Sequence, residues 1–219
     1  MPAFQVFRNY SVNSNFISLI SFQQTGRHYP LCETVSCYAR RLHPKNQKKM
    51  TQNIPEILLK IKEGIFDKLN FEFTNLVKQK EGNEYSAYCF DLNNRKVIFR
   101  NAKITPTKVG QFVTLWKRNK EGLTQPYEYS VDFDFIMINT EFENHTGQFI
   151  FPKSILLNQG IISNKLKQGK RGIRVYPSWD KPTNKQAEKT QKWQLEYFLE
   201  ISQKKEIDWD LVKKLYLSQ

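Results

Sequence analysis

Glu84, Lys103, Asp132 and Asp134 are the residues whose types and spacing best suit acid–base or metal chemistry. Asp132 and Asp134 alternate at the head of a strand-like run, which turns both carboxylates to one side. Glu84 opens another such run, and Lys103 follows a third. A metal-dependent nuclease needs two or three carboxylates converging on Mg²⁺ and a lysine to position or activate water. These four residues supply that set if a sheet gathers them. The plainer alternative makes Glu84 an edge charge and has the aspartates mark a strand start or pair with Arg100.

Other chemistries find less material. His145 is the one histidine after residue 49 and falls in a hairpin turn, so a histidine triad or zinc centre has no basis. Cys32, Cys37 and Cys89 are odd in number and lack CxxC spacing, which fits a reduced compartment rather than a disulfide framework. Cys89 lies mid-strand and reads as a small buried hydrophobe. Neither GxxxxGK[ST] nor GxGxxG occurs, so the chain has no ordinary nucleotide-binding loop and no cofactor is expected beyond Mg²⁺ in a nuclease.

Cations are more plentiful than acids. The 219 residues hold 34 Lys and Arg against 21 Asp and Glu, a net charge of +13, which suits a polyanionic partner. Two clusters carry most of the signal. Arg100, Lys103, Lys108, Lys117, Arg118 and Lys120 occur without an intervening acid. The second cluster, from Lys165 to Lys192, has nine basic residues against Asp180 and Glu188 and is interleaved with Tyr176 and Trp179. Within it, Gly169-Lys170-Arg171-Gly172 reads as a flexible basic loop able to approach a backbone closely, and Arg174 and Tyr176 point to one strand face. Cations for phosphates and aromatic faces for bases are the ingredients of nucleic-acid binding. The alternatives are dipole compensation for Lys117 and Arg118, a solvated helix for the later lysines, and core packing for Tyr176 and Trp179.

The elements that must position these groups follow from periodicity. Ile54, Ile57, Leu58, Ile61, Ile65 and Leu69 form one helical face, with Pro55 early in the helix. Strands at Glu84–Leu92 and Lys96–Ala102 are joined by Asn93-Asn94, a pair that tolerates the positive φ of a tight hairpin. Thr105 as cap, Pro106 at the first helical position, and Val109, Phe112, Val113 and Trp116 at helical spacing predict an amphipathic helix to Arg118. Its N-terminus, beside Arg100, Lys103 and Lys108, would cradle a phosphate. Strands at Phe133–Thr140 and Gly147–Phe151, a helix from Pro152 to Asn158, a strand at Ile173–Tyr176, and helices at about Thr183–Ile201 and Ile207–Leu217 complete the chain. This order predicts one α+β domain over residues 50–219, with a mixed or antiparallel sheet flanked by helices. Residues 1–49 hold seven basic residues against Glu33 and no sustained periodicity; they read as a poorly ordered basic arm or as an extension upstream of a true start at Met50. No stretch approaches the roughly 20 apolar residues of a membrane helix, so a cytoplasmic location without membrane contact is expected.

Several longer motifs carry a family resemblance. They are Phe99-Arg100-Asn101-Ala102-Lys103-Ile104-Thr105-Pro106-Thr107-Lys108-Val109-Gly110-Gln111-Phe112-Val113-Thr114 with Trp116-Lys117-Arg118, then Gly147-Gln148-Phe149-Ile150-Phe151-Pro152. Gly169-Lys170-Arg171-Gly172-Ile173-Arg174-Val175-Tyr176-Pro177-Ser178-Trp179 and the Gln186-Ala187 to Trp193-Gln194 helix follow. Together they resemble the MepB family from about Met50 to Ser202, without residues 1–49. The resemblance implies a small bacterial protein, encoded in some bacteria beside a multidrug efflux pump and its regulator. It further implies a restriction-endonuclease-like relative that binds DNA. In such nucleases one hairpin strand carries an acid and the next an acid-x-Lys motif. Here Asn101-Ala102-Lys103 puts an amide where the acid would stand, which weakens any Mg²⁺ site and argues against cleavage while leaving binding intact. The leading expectation is nucleic-acid binding, DNA foremost, through Arg100, Lys103, Lys108, Lys117, Arg118, Lys170, Arg171 and Arg174, with Tyr176 or Trp179 near bases or sugars. The alternatives are a Mg²⁺-dependent nuclease and a regulatory module that binds an acidic protein.

Overall fold

A computed structural model describes residues 54–119, 121–202 and 206–217. The expectation for residues 1–49 lies outside the described residues.

The apolar stripe from Ile54 forms a helix as expected. It begins after Pro55 as α1 (Glu56–Ile61) and runs on through a π turn and a final 3₁₀ turn ending at Leu69. Asn70 stops it in the left-handed region, at φ 54°. Strand β1 (Phe73–Lys78) follows, then β2 (Tyr88–Leu92) and β3 (Arg95–Asn101). The β2–β3 hairpin turns on Asn93 and Asn94, both at positive φ (49° and 62°), a geometry Asn adopts at small cost.

The segment expected to form a helix from Thr105 to Arg118 is a run of strands. β4 (Lys103–Thr105) turns through Pro106-Thr107 into β5 (Lys108–Thr114), and β6 (Trp116–Arg118) pairs with β7 (Thr124–Pro126). Proline suits the first corner of a turn as well as the first position of a helix, so Pro106 fits both readings. Gly110 at φ +85° does not fit a helix, and Gln111, Val113 and Leu115 are buried at period two. The helix N-terminal phosphate cradle therefore does not exist.

β8 (Phe135–Phe142) and β9 (His145–Pro152) form the second hairpin, followed by α2 (Lys153–Asn158). β10 (Gly172–Val175) leads to α3 (Lys185–Gln194), which is shorter than the sequence predicts. After one 3₁₀ turn the chain extends again as β11 (Phe198–Glu200), and α4 (Trp209–Leu217) is the last described element.

The main sheet has six strands in the order β1-β2-β3-β8-β9-β11, and the β3–β8 pair is parallel while the others are antiparallel. Its mixed character follows from the chain leaving β3, building the small sheets, and returning to β8 in the same direction. Alternation along the strands feeds two cores. Val97, Phe99, Phe135, Met137 and Ile150 face α1 and α4. Ile98, Ile136, Ile138, Phe149 and Phe151 face the other side, where Val113, Leu115, Ile173, Val175 and Leu156 close over them. The α+β expectation holds, and a three-stranded sheet in the order β10-β5-β4 forms part of the second covering layer.

Candidate nucleic-acid interface

The small sheet sets a row of side chains. β10 places Arg174 opposite Phe112, and β4 places Lys103 opposite the same Phe112. Residues directly opposed in antiparallel pairs share a face, so Lys103, Phe112 and Arg174 stand together on the face turned away from the core. Arg174 Cζ lies 6.0 Å from the Phe112 ring centroid. Tyr85, from the 3₁₀ turn Asn83–Tyr85, extends the row: its ring meets Phe112 edge-on at 6.4 Å, and Lys103 Nζ sits 5.0 Å from its centroid. Lys103 also pairs with Glu84 at 3.2 Å.

Arg174 is held in place by backbone. Its Nη1 donates to the carbonyls of Lys108 (3.3 Å), Val109 (3.4 Å) and Gly110 (2.8 Å). Asp180 stands close enough for Arg174 to favour its charged form. Burial outweighs that and pushes the Asp180 carboxyl above its ordinary value, with Oδ2 buried and without a hydrogen-bond partner.

The basic loop before β10 is pinned, not flexible. Gly169 N donates to Ser163 Oγ at 2.9 Å, Lys170 N to the Ile161 carbonyl at 2.9 Å, and the Arg171 carbonyl accepts from Leu115 N at 2.8 Å. A Cβ on Gly169 would stand 2.5 Å from the Ile161 carbonyl oxygen. The close backbone approach expected of this glycine is therefore real, but it is to the chain's own backbone.

Lys108, Lys170, Arg174 and Tyr176 line one groove of about 710 Å³, closed on the far side by the start of α3. No Asp or Glu is among the residues that line it. Lys108, Lys170 and Arg171 are exposed and make no ion pair among the described residues. Arg171 adjoins Lys170 but does not line the groove.

Other expected site residues stand elsewhere. Arg100 is 3% exposed and donates to the Phe99 carbonyl at 2.7 Å, to Tyr127 Oη at 2.6 Å and to Gln79 Oε1. It is an interior residue, because its strand position alternates with buried Ile98 on one face of the main sheet. Arg118 pairs with Glu81 at 3.0 Å and donates to the Gly122 carbonyl at 2.7 Å, and Lys117 precedes it in β6. Trp179 stacks on His145 at 5.2 Å and packs edge-on against Phe198 at 5.5 Å, which makes it part of the second core and not of the groove.

The proposed nuclease set does not assemble. Asp132 pairs with Lys96 Nζ, and Asp134 Oδ2 accepts from Lys96 N at 2.7 Å. Both aspartates thus mark the start of β8 beside the start of β3. Lys103 and Glu84 lie beyond the other end of β3, seven residues along, which at strand rise is roughly 20 Å away. Among the described residues no three His, Cys, Asp or Glu side chains group as metal ligands.

Sequence reasoning missed the part played by two glycines. A Cβ on Gly110 would lie 2.7 Å from the Tyr176 ring, and one on Gly172 would lie 2.7 Å from the Phe112 ring. Both aromatics can therefore approach bare backbone closely, and a glycine within a strand-like run followed by a distant aromatic was the available signal. The groove walls at the start of α3, Thr183, Asn184 and Gln186, had no signal beyond the helix cap: Asn184 Oδ1 accepts from Ala187 N at 2.9 Å.

A mixed six-stranded sheet with helices on one face and a cation-bearing small sheet on the other defines an α+β protein with one acid-free basic groove. The family model described as MepB-like matches residues 79–200. The crystal structure of MepB is 34% identical, covers 70% of this chain and all of its own (100%), and superposes with a TM-score of 0.60. The chain belongs to the MepB-like family. A bacterial homing endonuclease structure covers 70% of this chain and 92% of its own at 15% identity and a TM-score of 0.36, a level of similarity that supports no functional inference. No curated protein matches.

Proposed function

We propose that this MepB-like protein binds nucleic acid, with DNA the first candidate, and that the groove between β5, β10 and α3 is where it does so. One observation carries the reading: Lys108, Lys170 and Arg174, from three separate segments, converge on a single groove without a carboxylate on its walls. Converging cations repel one another, and an internal structural role would bring acids to neutralise them. A polyanion laid through the groove supplies that neutralisation and gains entropy from the counterions it releases. The reading needs binding only. The separated positions of Glu84, Asp132 and Asp134 give it no cleavage step.

The test is the salt dependence of binding to a labelled oligonucleotide, followed by fluorescence anisotropy. Lys108→Ala and Lys170→Ala should each flatten the slope of log K against log salt, by about 0.9 for duplex or about 0.7 for single strands per lost phosphate contact. Poly-glutamate serves as competitor. Slopes unchanged in both variants, or equal displacement by poly-glutamate, would overturn the assignment in favour of a surface that attracts any polyanion.

A further inference from the structure

The groove wall that carries Lys170 continues outward as a narrow loop. Ile161 and Lys170 both line the groove and are clamped to each other, with Lys170 N donating to the Ile161 carbonyl at 2.9 Å. Further out, Gly169 N donates to Ser163 Oγ and Asn164 N to the Lys167 carbonyl, each at 2.9 Å. The Asn164 side chain closes the tip, where its Oδ1 accepts from Leu166 N at 2.9 Å and from Lys167 N at 2.7 Å. Ser163 ties the loop to the body: its N donates to the Tyr127 carbonyl and its carbonyl accepts from Tyr129 N, both at 2.8 Å. A loop bonded at every level holds its tip in one place, and the residue at that tip is Leu166.

Leu166 is 97% exposed, whereas Leu123, the next most exposed large hydrophobic among the described residues, is 62% exposed. Single apolar side chains are ordinary on a surface, but this one has almost no surface covered. Its neighbours Lys165 and Lys167 are exposed and make no ion pair among the described residues. The Lys167 side chain runs back across Gly160, its Nζ 3.2 Å and its Cε 3.4 Å from where a Cβ would stand. Gln159 and Ile161, on either side of Gly160, line the groove, so this ammonium lies at the groove's edge. Lys170 is four residues from Leu166, which keeps the tip within about 14 Å of the wall, the span of four extended residues.

We infer that Leu166 is a wedge: where nucleic acid passes from the groove onto this loop, the side chain enters between two neighbouring bases and parts them, with the adjoining phosphates on Lys165 and Lys167. Each part suits the task. A leucine between bases leaves water for an apolar surface, as the inserted side chains of base-unstacking proteins do. The hydrogen-bonded turn presents it without further ordering on binding, and a lysine on either side draws phosphate to both flanks. Insertion of the same tip into an anionic membrane is less well served, because one leucine buries too little to anchor a protein there.

The inference rests on the nucleic-acid reading of the groove and applies to whichever form of nucleic acid binds there. The experiment titrates the full chain into oligonucleotides that carry 2-aminopurine at successive positions, each alone and annealed to its complement. 2-Aminopurine brightens when a stacked neighbour is pulled away, so the parent should raise its fluorescence. Leu166→Ala should abolish that rise at one or more positions while anisotropy shows the oligonucleotide still bound at saturating protein, and Leu166→Phe should keep it. Thermal melting should be unchanged in both variants, since the side chain supports nothing in the fold. Lys165→Ala and Lys167→Ala should each flatten the salt slope by about 0.9 for duplex or about 0.7 for single strands. Binding by the parent with no brightening, or brightening of parental size at every position in Leu166→Ala, would overturn the wedge while leaving the groove in place. Absence of binding by the parent would overturn the groove reading as well. Sedimentation with phosphatidylglycerol vesicles that is lost in Leu166→Ala, together with brightening of parental size in that variant, would overturn the wedge and assign the tip to a membrane.

Discussion

Arg100 shows how far one residue can depart from what its type suggests. In the sequence it heads an acid-free run of cations and invites a phosphate. In the structure its hydrogen bonds go to the Phe99 carbonyl, Gln79 and Tyr127, all neutral. Its charge also reaches Cys89 and Tyr127, whose thiol and phenol are pushed up by burial and only partly drawn back by the guanidinium. Arg100→Ala should therefore act on stability: a loss of about 1.5–3 kcal/mol, the scale of hydrogen bonds made by a charged group, read as a lower urea midpoint. The salt slope of oligonucleotide binding should stay as in the parent; a flatter slope would return Arg100 to the interface. The information that separates Arg100 from Lys108 was partly present, because Arg100 shares its strand face with Ile98 and Ala102, both buried. The glycine-flanked loop and the strand alternation marked Lys170 and Arg174 as binding candidates, but not which walls they would share, since their neighbours there come from β5 and α3. Trp179 was misread for a similar reason: its partners His145 and Phe198 are distant in sequence, and a ring in a basic segment looks the same whether it faces a base or a core.

Among the elements, the Asn93-Asn94 turn was legible as a hairpin, whereas Pro106-Thr107 read as the start of a helix and not as the chain reversal it is. Val109, Phe112, Val113 and Trp116 happen to fall at helical spacing, and the β-period in Gln111, Val113 and Leu115 hides behind a polar member. Gln111 is buried all the same, donating to the Glu141 carbonyl at 3.2 Å while its Oε1 has no partner. β11 was hidden for another reason. It has three residues, continues directly from a helix, and owes its extended form to pairing with β9, where Phe198 meets Phe149. The loop ahead of β10 is the element most open to test. Gly169 touches the backbone of Ile161, Ile162 and Ser163 so closely that an added methyl must push the segment away. Gly169→Ala should therefore displace Lys170 from the groove and weaken oligonucleotide binding about as much as Lys170→Ala does, with an overpacking cost of about 1–3 kcal/mol. Equal binding by Gly169→Ala and the parent would show that the loop's position does not matter to the ligand.

For the described part of the molecule as a whole, the division of labour follows the sheet's two faces. One face is sealed by α1, the π turn after it and α4 through Leu58, Ile61, Phe66, Val212 and Leu215, all nearly inaccessible. The other supports the small sheet whose outer surface bears the cations. The net charge of +13 raised the expectation of a polyanionic partner without saying where it would sit, and only the fold shows where unpaired cations gather, because several others are spoken for. Lys96, Lys103 and Arg118 each have a carboxylate partner. No described helix is long and apolar enough to cross a membrane. The α+β class was legible because strand and helix periods alternate along the chain; the position of the groove was not, because it depends on which strands pair.

The Arg174 bonds to the carbonyls of Lys108 and Val109 bridge residues 66 and 65 apart in the chain, and the segment between them contributes β8 and β9 at the centre of the main sheet. Contacts so distant in sequence form late, after the loops between them have closed. The groove walls can therefore meet only once the loop through β8 and β9 has closed, so a chain refolding from urea completes the groove late. In stopped-flow refolding, intrinsic fluorescence should recover ahead of quenching by a labelled oligonucleotide, and simultaneous recovery would mean that the groove walls meet early. A newly made molecule would then lack the finished groove until the last strands have docked.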